Sequence, residues 1–162
     1  MNTGYMELSG DLNKAKNYAV KILGMRDHSG AELIKKLSKY YDAETCRAAL
    51  EWVREIGYQD DGEYAGKLAA HLINKNYGLR KVRYEMKLKG LSNEVIEDVL
   101  EDYGDNEILG KITDIIKRKY SELPNDRLGI KKVVDALMRR GYDYGDIKLC
   151  IERIRRDIEL DD

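Results

Sequence analysis

Gly78-Leu79-Arg80-Lys81-Val82 is followed, about 50 residues later, by Gly129-Ile130-Lys131-Lys132-Val133. The register persists beyond this stretch: Met86 pairs with Leu137, Lys89 with Arg140 and Gly90 with Gly141. A fainter copy lies upstream, where Leu33, Leu37 and Tyr41 fall at the positions of Val82, Met86 and Gly90. The chain therefore reads as about three copies of one unit. Self-similarity at a fixed period implies units that bury their apolar faces against neighbours and line up equivalent surface positions along one side.

Apolar spacing makes each unit helical. Leu12, Ala15, Ala19, Ile22 and Leu23 recur at helical intervals. Ser29-Gly30-Ala31-Glu32 has the form of a capping box and opens a second helix with Leu33, Ile34 and Leu37 on its apolar face. Asp42 caps a third, carrying Cys46, Ala49, Leu50, Val53 and Ile56, which stops at Gly57. Asp60-Asp61-Gly62-Glu63 starts the next unit with another acidic cap, followed by Tyr64, Leu68, His71 and Leu72 as the predicted apolar face. Val82, Met86 and Leu88 come next, then Val95, Ile96, Val99 and Leu100. The third unit carries Ile108, Ile112, Ile115 and Ile116, a break from Ser121 through Pro124 to Gly129, then Val133, Leu137 and Met138. Gly141 turns the chain into Ile147, Cys150, Ile151 and Ile154. The predicted fold is all-α: three tandem three-helix repeats in an elongated, curved array. The divisions are a tail over 1–11, repeats over 12–59, 60–105 and 106–156, and an acidic C-terminal tail over 157–162. Stacked repeats predict a radius of gyration above the roughly 15 Å of a compact globule of this length.

Composition narrows the function. With 29 Lys and Arg against 30 Asp and Glu, the net charge is −1, so no molecule-wide field draws the chain to nucleic acid or to an anionic membrane. Charge is concentrated locally instead. Arg80, Arg83 and Lys87 fall at i, i+3 and i+7 of one helix, flanked by Lys81 and Lys89. Lys131, Lys132, Arg139 and Arg140 offer a matching stripe one unit on. Such stripes are either solvated faces or contacts to phosphate or an acidic partner, and these nine residues are the candidate binding residues.

Catalysis finds no support. Cys46 and Cys150 are far apart, as are His28 and His71, so neither a disulfide framework nor metal-ligand spacing is present. His28 precedes a cap and is expected at the surface or in capping structure; His71 is expected in the core or at its boundary. Asp60-Asp61 is explained by helix capping. No catalytic residue, metal or cofactor is predicted. With 12 Tyr, one Trp and no Phe, aromatic packing at helix junctions falls to tyrosine. No basic leader and no apolar run of about 18 residues is present, and two cysteines suit a reducing compartment, so a cytoplasmic protein with no membrane partner is expected.

Met25-Arg26-Asp27-His28-Ser29-Gly30-Ala31-Glu32-Leu33-Ile34-Lys35-Lys36-Leu37 resembles the R-x-H-S-x-x-E-L-x-x-K-L signature of bacterial RecX proteins. Leu50 through Gly57-Tyr58-Gln59-Asp60-Asp61-Gly62-Glu63-Tyr64-Ala65 is similar to the L-x-x-x-G-[YL]-x-[DN]-D-x-x-[FY]-A junction of that family, with Tyr64 where Phe is common. Gly78-Leu79-Arg80-Lys81-Val82 through Lys89-Gly90-Leu91 resembles its G-x-x-[RK]-[IV]-x-x-x-L-x-x-K-G-[IV] segment, with Leu79 where Pro is frequent and Met86 where Leu is usual. The resemblance covers about residues 12 to 156. It implies an elongated helical-repeat regulator that binds in the groove of RecA filaments on single-stranded DNA and negatively modulates the recombinase and its ATPase. It also implies no enzyme activity and no cofactor. A monomer is expected. The basic stripes support a second reading, a module that binds DNA directly without RecA.

Overall fold

Polar caps set the helix starts. The structure is a computed structural model and describes residues 8–120 and 123–161. Most of the N-terminal tail, Ser121 and Glu122 in the predicted break, and the terminal Asp162 lie outside it. Among the described residues the helices are α1 (Leu12–Met25), α2 (Gly30–Leu37), α3 (Ala43–Glu55), α4 (Asp61–Asn74), α5 (Leu79–Leu88), α6 (Asn93–Leu100), α7 (Asp105–Lys119), α8 (Arg127–Arg139) and α9 (Tyr144–Asp161). Ser29 makes the full capping box at α2, with its side chain accepting from the Glu32 amide and Glu32 accepting from the Ser29 amide. Asp42 accepts from the Thr45 amide at 2.8 Å, Asp60 from that of Glu63 at 2.8 Å, and Asp126 from that of Gly129 at 2.8 Å. Each such cap is worth about 1 kcal/mol. The acidic run from Asp157 to Asp161 belongs to the last turns of α9.

The chain divides into two compact units. The first holds the described residues up to Lys67 together with Lys87–Ile96. In it, α1, α2 and α3 pack on one another around Ala15, Ala19, Ile22, Leu33, Leu37, Cys46, Ala49 and Val53. Three alanines in this core let the helix backbones approach closely. Ser9 pairs with the α2–α3 turn, donating to the Tyr40 carbonyl at 2.9 Å and accepting from the Asp42 amide at 3.2 Å.

The second unit holds Leu68–Met86 and the described residues from Glu97 onward. There α9 packs against α7 and α8, around Ile108, Ile112, Ile116, Val133, Leu137, Ile147, Cys150, Ile151 and Ile154. Branched side chains fill this core. Tyr142, only 1% exposed, lies in it with its hydroxyl unpartnered, and burial pushes that hydroxyl up to about 12. Such an orphaned group costs about 1 to 3 kcal/mol.

Two expectations about α4 and α5 fail. The buried residues of α4 are Ala65, Ala69, Leu72 and Ile73, while His71 is exposed. Alanines at one-turn spacing carry that face, and a reading weighted towards bulky residues turns the helix the wrong way. Leu88 is 62% exposed rather than apolar core. His28 is buried, not superficial. Its Nδ1 lies 2.9 Å from the Arg26 carbonyl, and burial lowers its basicity. It stays structural, as part of the entry to α2.

Candidate partner-binding surface

A helix start meets a glycine turn at two places, one in each compact unit. In the first, Ser29 at the N-terminus of α2 donates from Oγ to the Lys89 carbonyl, and Ala31 lies against Gly90. In the second, the Gly78 amide at the N-terminus of α5 donates to the Arg140 carbonyl at 2.8 Å, and the Arg80 amide to that of Gly141 at 3.1 Å. Gly90 and Gly141 both hold left-handed backbone, with φ of +75° and +90°. These turns need glycine because a side chain is disfavoured at that φ. Gly78 needs it for a different reason: an added Cβ would strike the main chain of Gly141 and Tyr142.

Side chains surround the first joint. Asp61 accepts from the Gly30 amide at 2.8 Å and from Gln59 Nε2 at 2.8 Å, and pairs with Arg54 at 3.3 Å. Gln59 also receives Arg54 Nε at 2.8 Å and donates to the His28 carbonyl at 3.3 Å. The Asp60-Asp61 pair thus caps two helices, Asp60 its own and Asp61 the start of α2. Glu32 accepts from Arg26 at 3.2 Å, from the Ser29 amide at 3.2 Å and from Lys89 at 3.2 Å. Burial alone would raise its pKa, but these three donors outweigh it and hold the carboxyl at about 2.

The nine predicted basic residues divide into two sets. Four are engaged. Arg83 grips Glu97 with Nε at 2.8 Å and Nη2 at 2.9 Å, and Lys89 holds Glu32. Arg140 reaches the Lys75 and Asn76 carbonyls at 3.4 and 3.5 Å, and the Lys81 ammonium sits 4.4 Å from the centre of the Tyr77 ring. Arg80, Lys87, Lys131, Lys132 and Arg139 are exposed. The α5 stripe is therefore interrupted at its middle member. Sequence reading passed over Lys35, Lys36 and Lys39, which line a groove with Lys89. Their signal was weak because they sit in the copy with the least internal similarity. No cluster of three or more His, Cys, Asp or Glu side chains able to hold a metal occurs among the described residues. Both cysteines are free and buried, and burial raises both thiols. The arrangement can hold helices in register and present ammonium and guanidinium groups.

Fold and joints define the class: a helical-repeat protein built of three-helix units. Comparison with known proteins then identifies the lineage. The family model for the first three-helix domain of RecX matches residues 15–52, and that for the second matches residues 60–100. The regulatory protein RecX of Stenotrophomonas maltophilia R551-3 is 33% identical over 132 residues, 80% of each chain. That of Chlorobium phaeobacteroides BS1 is 31% identical over 149 residues, 90% of this chain and 97% of its own. The crystal structure of RecX from Lactobacillus salivarius shares the fold, with a TM-score of 0.81 at 21% identity over 91% of this chain and 99% of that one. The chain belongs to the RecX family of regulatory proteins.

Proposed function

We propose that this protein binds the RecA filament on single-stranded DNA and lowers its recombinase and ATPase activity, acting in DNA repair and recombination and in the SOS response. It acts in the cytoplasm as a monomer, by binding and without chemistry of its own. The observation that carries this reading is where the family signature falls. Arg26, His28, Ser29, Glu32, Asp61, Lys89 and Gly90 build the first joint, so the residues that mark the family also set how its helices meet. Domain divisions at 12–59, 60–105 and 106–156 make Lys87, Lys131, Lys132, Arg80 and Arg139 the free contact residues of the second and third repeats. Lys81, Arg83, Lys89 and Arg140 add charge from positions that also hold the fold.

RecA-catalysed ATP hydrolysis on single-stranded DNA, followed while the protein is added at substoichiometric ratios, tests the proposal. The expected result is a progressive fall in rate. An unchanged rate at every ratio would overturn it.

A further inference from the structure

The groove between the end of α2 and the end of α5 is lined by Lys35, Lys36, Lys39 and Lys89, encloses about 470 Å³, and has Glu32 as its only acid. That carboxylate is already committed to Arg26, Lys89 and the Ser29 amide. Lys35, Lys36 and Lys39 have no acidic partner among the described residues. Two helix C-termini border the groove, each with a partial negative charge of about half a unit. Four ammonium groups exceed those two ends and the Glu32 carboxylate taken together. The groove is a net positive site within a chain of net charge −1.

We propose that this groove holds the backbone phosphates of single-stranded nucleic acid. Lysine ammonium groups are mobile point charges that can follow a row of phosphates along a strand. The Arg26 guanidinium beside Glu32 is used by that carboxylate and by the Asp27 carbonyl. Leu88 is the one large exposed apolar side chain in the lining, too little to anchor a protein partner, which docks through buried aromatic or aliphatic groups. Tyr40 follows Lys39 directly and is 49% exposed, its ring held edge-on by Tyr18 at 5.6 Å and 85°. A base next to the bound phosphates can stack on that ring.

This inference does not rest on the RecA reading, and its test contains no RecA. The full chain is titrated against a fluorescent oligothymidylate of about 20 nucleotides, read by anisotropy between about 50 and 200 mM salt. Replacing the three free lysines by glutamine (K35Q, K36Q and K39Q together) is expected to weaken binding at least about tenfold at the lowest salt. It should also lower the slope of log affinity against log salt by about 2, since each lost phosphate contact on a single strand contributes about 0.7. Tyr40→Ala should weaken binding at least about fivefold, with the slope unchanged. The triple Lys→Arg variant should retain affinity and slope, and the melting temperature should be the same for all lysine variants. Absence of wild-type binding, or a glutamine variant with affinity and slope intact, would overturn the proposal. So would tighter binding to a polyglutamate peptide than to the oligonucleotide, which would assign the groove to an acidic protein.

Discussion

The Ser29–Lys89 joint and the Gly78–Arg140 joint bring corresponding helix starts onto corresponding turns, yet they are made of different material. At the first, a hydroxyl, two carboxylates, an amide side chain and two guanidinium groups surround the contact. At the second, main chain meets main chain because Gly78 leaves nothing between α5 and the Arg140–Tyr142 turn, and the one side chain bonded across it is that of Arg140, at 3.4 and 3.5 Å from the Lys75 and Asn76 carbonyls. A side-chain joint can be adjusted by protonation and by exchange of polar groups. A main-chain joint tolerates almost any neighbour but no Cβ.

Substitution at the two helix starts should separate these designs most clearly. Gly78→Ala drives a methyl group into backbone that cannot move, and is expected to cost about 3 kcal/mol in urea unfolding. Gly30→Ala meets the end of the Arg54 side chain, which can swing into solvent, and should cost about 1 kcal/mol. Equal losses at the two glycines would erase the distinction. Asp61→Ala strips partners from the Gly30 amide, Gln59 and Arg54 together, for an expected loss of about 2 kcal/mol by the same measurement.

Acid should act on the first joint through Glu32. Its folded pKa of about 2 lies below the ordinary 4.5, so the stabilisation is fully present above 4.5 and fades as pH falls towards 2. The effect is on the order of 2 kcal/mol, and Glu32→Gln should remove that part of the pH dependence. Thermal melts at pH 7, 4 and 3 for both proteins check it: parallel curves would show that Glu32 is not the sensor. The smallest change is expected at the second joint, where Tyr142→Phe deletes an unpartnered buried hydroxyl and should raise stability by up to about 1 kcal/mol. A loss on that substitution would reveal a bonding partner for the hydroxyl.

The contrast also explains what could be read in advance. Ser29-Gly30-Ala31-Glu32 is local, so its capping box was legible, as were Gly90 and Gly141, whose repeat spacing marked the turns. The second face of Asp61, which caps α2 from another helix, was not. Nor was the capture of Arg83 by Glu97, since both depend on helices meeting in space. The orientation of α4 was lost because Ala65 and Ala69 give little hydrophobic signal while buried completely. Among the basic residues, Arg80, Lys131, Lys132 and Arg139 were found as runs along single helices. The Lys35, Lys36 and Lys39 patch is completed only by Lys89, from a turn far along the chain.

Gly129, the equivalent of Gly78 in the third copy, has its amide bound to Asp126, and Pro124 lies where a Cβ would go. At the other end of the repeat register, Tyr41 stands in the position of Gly90 and Gly141, and its turn is already paired with Ser9. Both sockets are plugged by the chain itself. Gene duplication therefore has a preferred point of entry into this protein: an extra unit inserted between existing copies finds a turn and a helix start ready to receive it. One appended beyond the third copy would first have to lose Pro124 and the Asp126 cap.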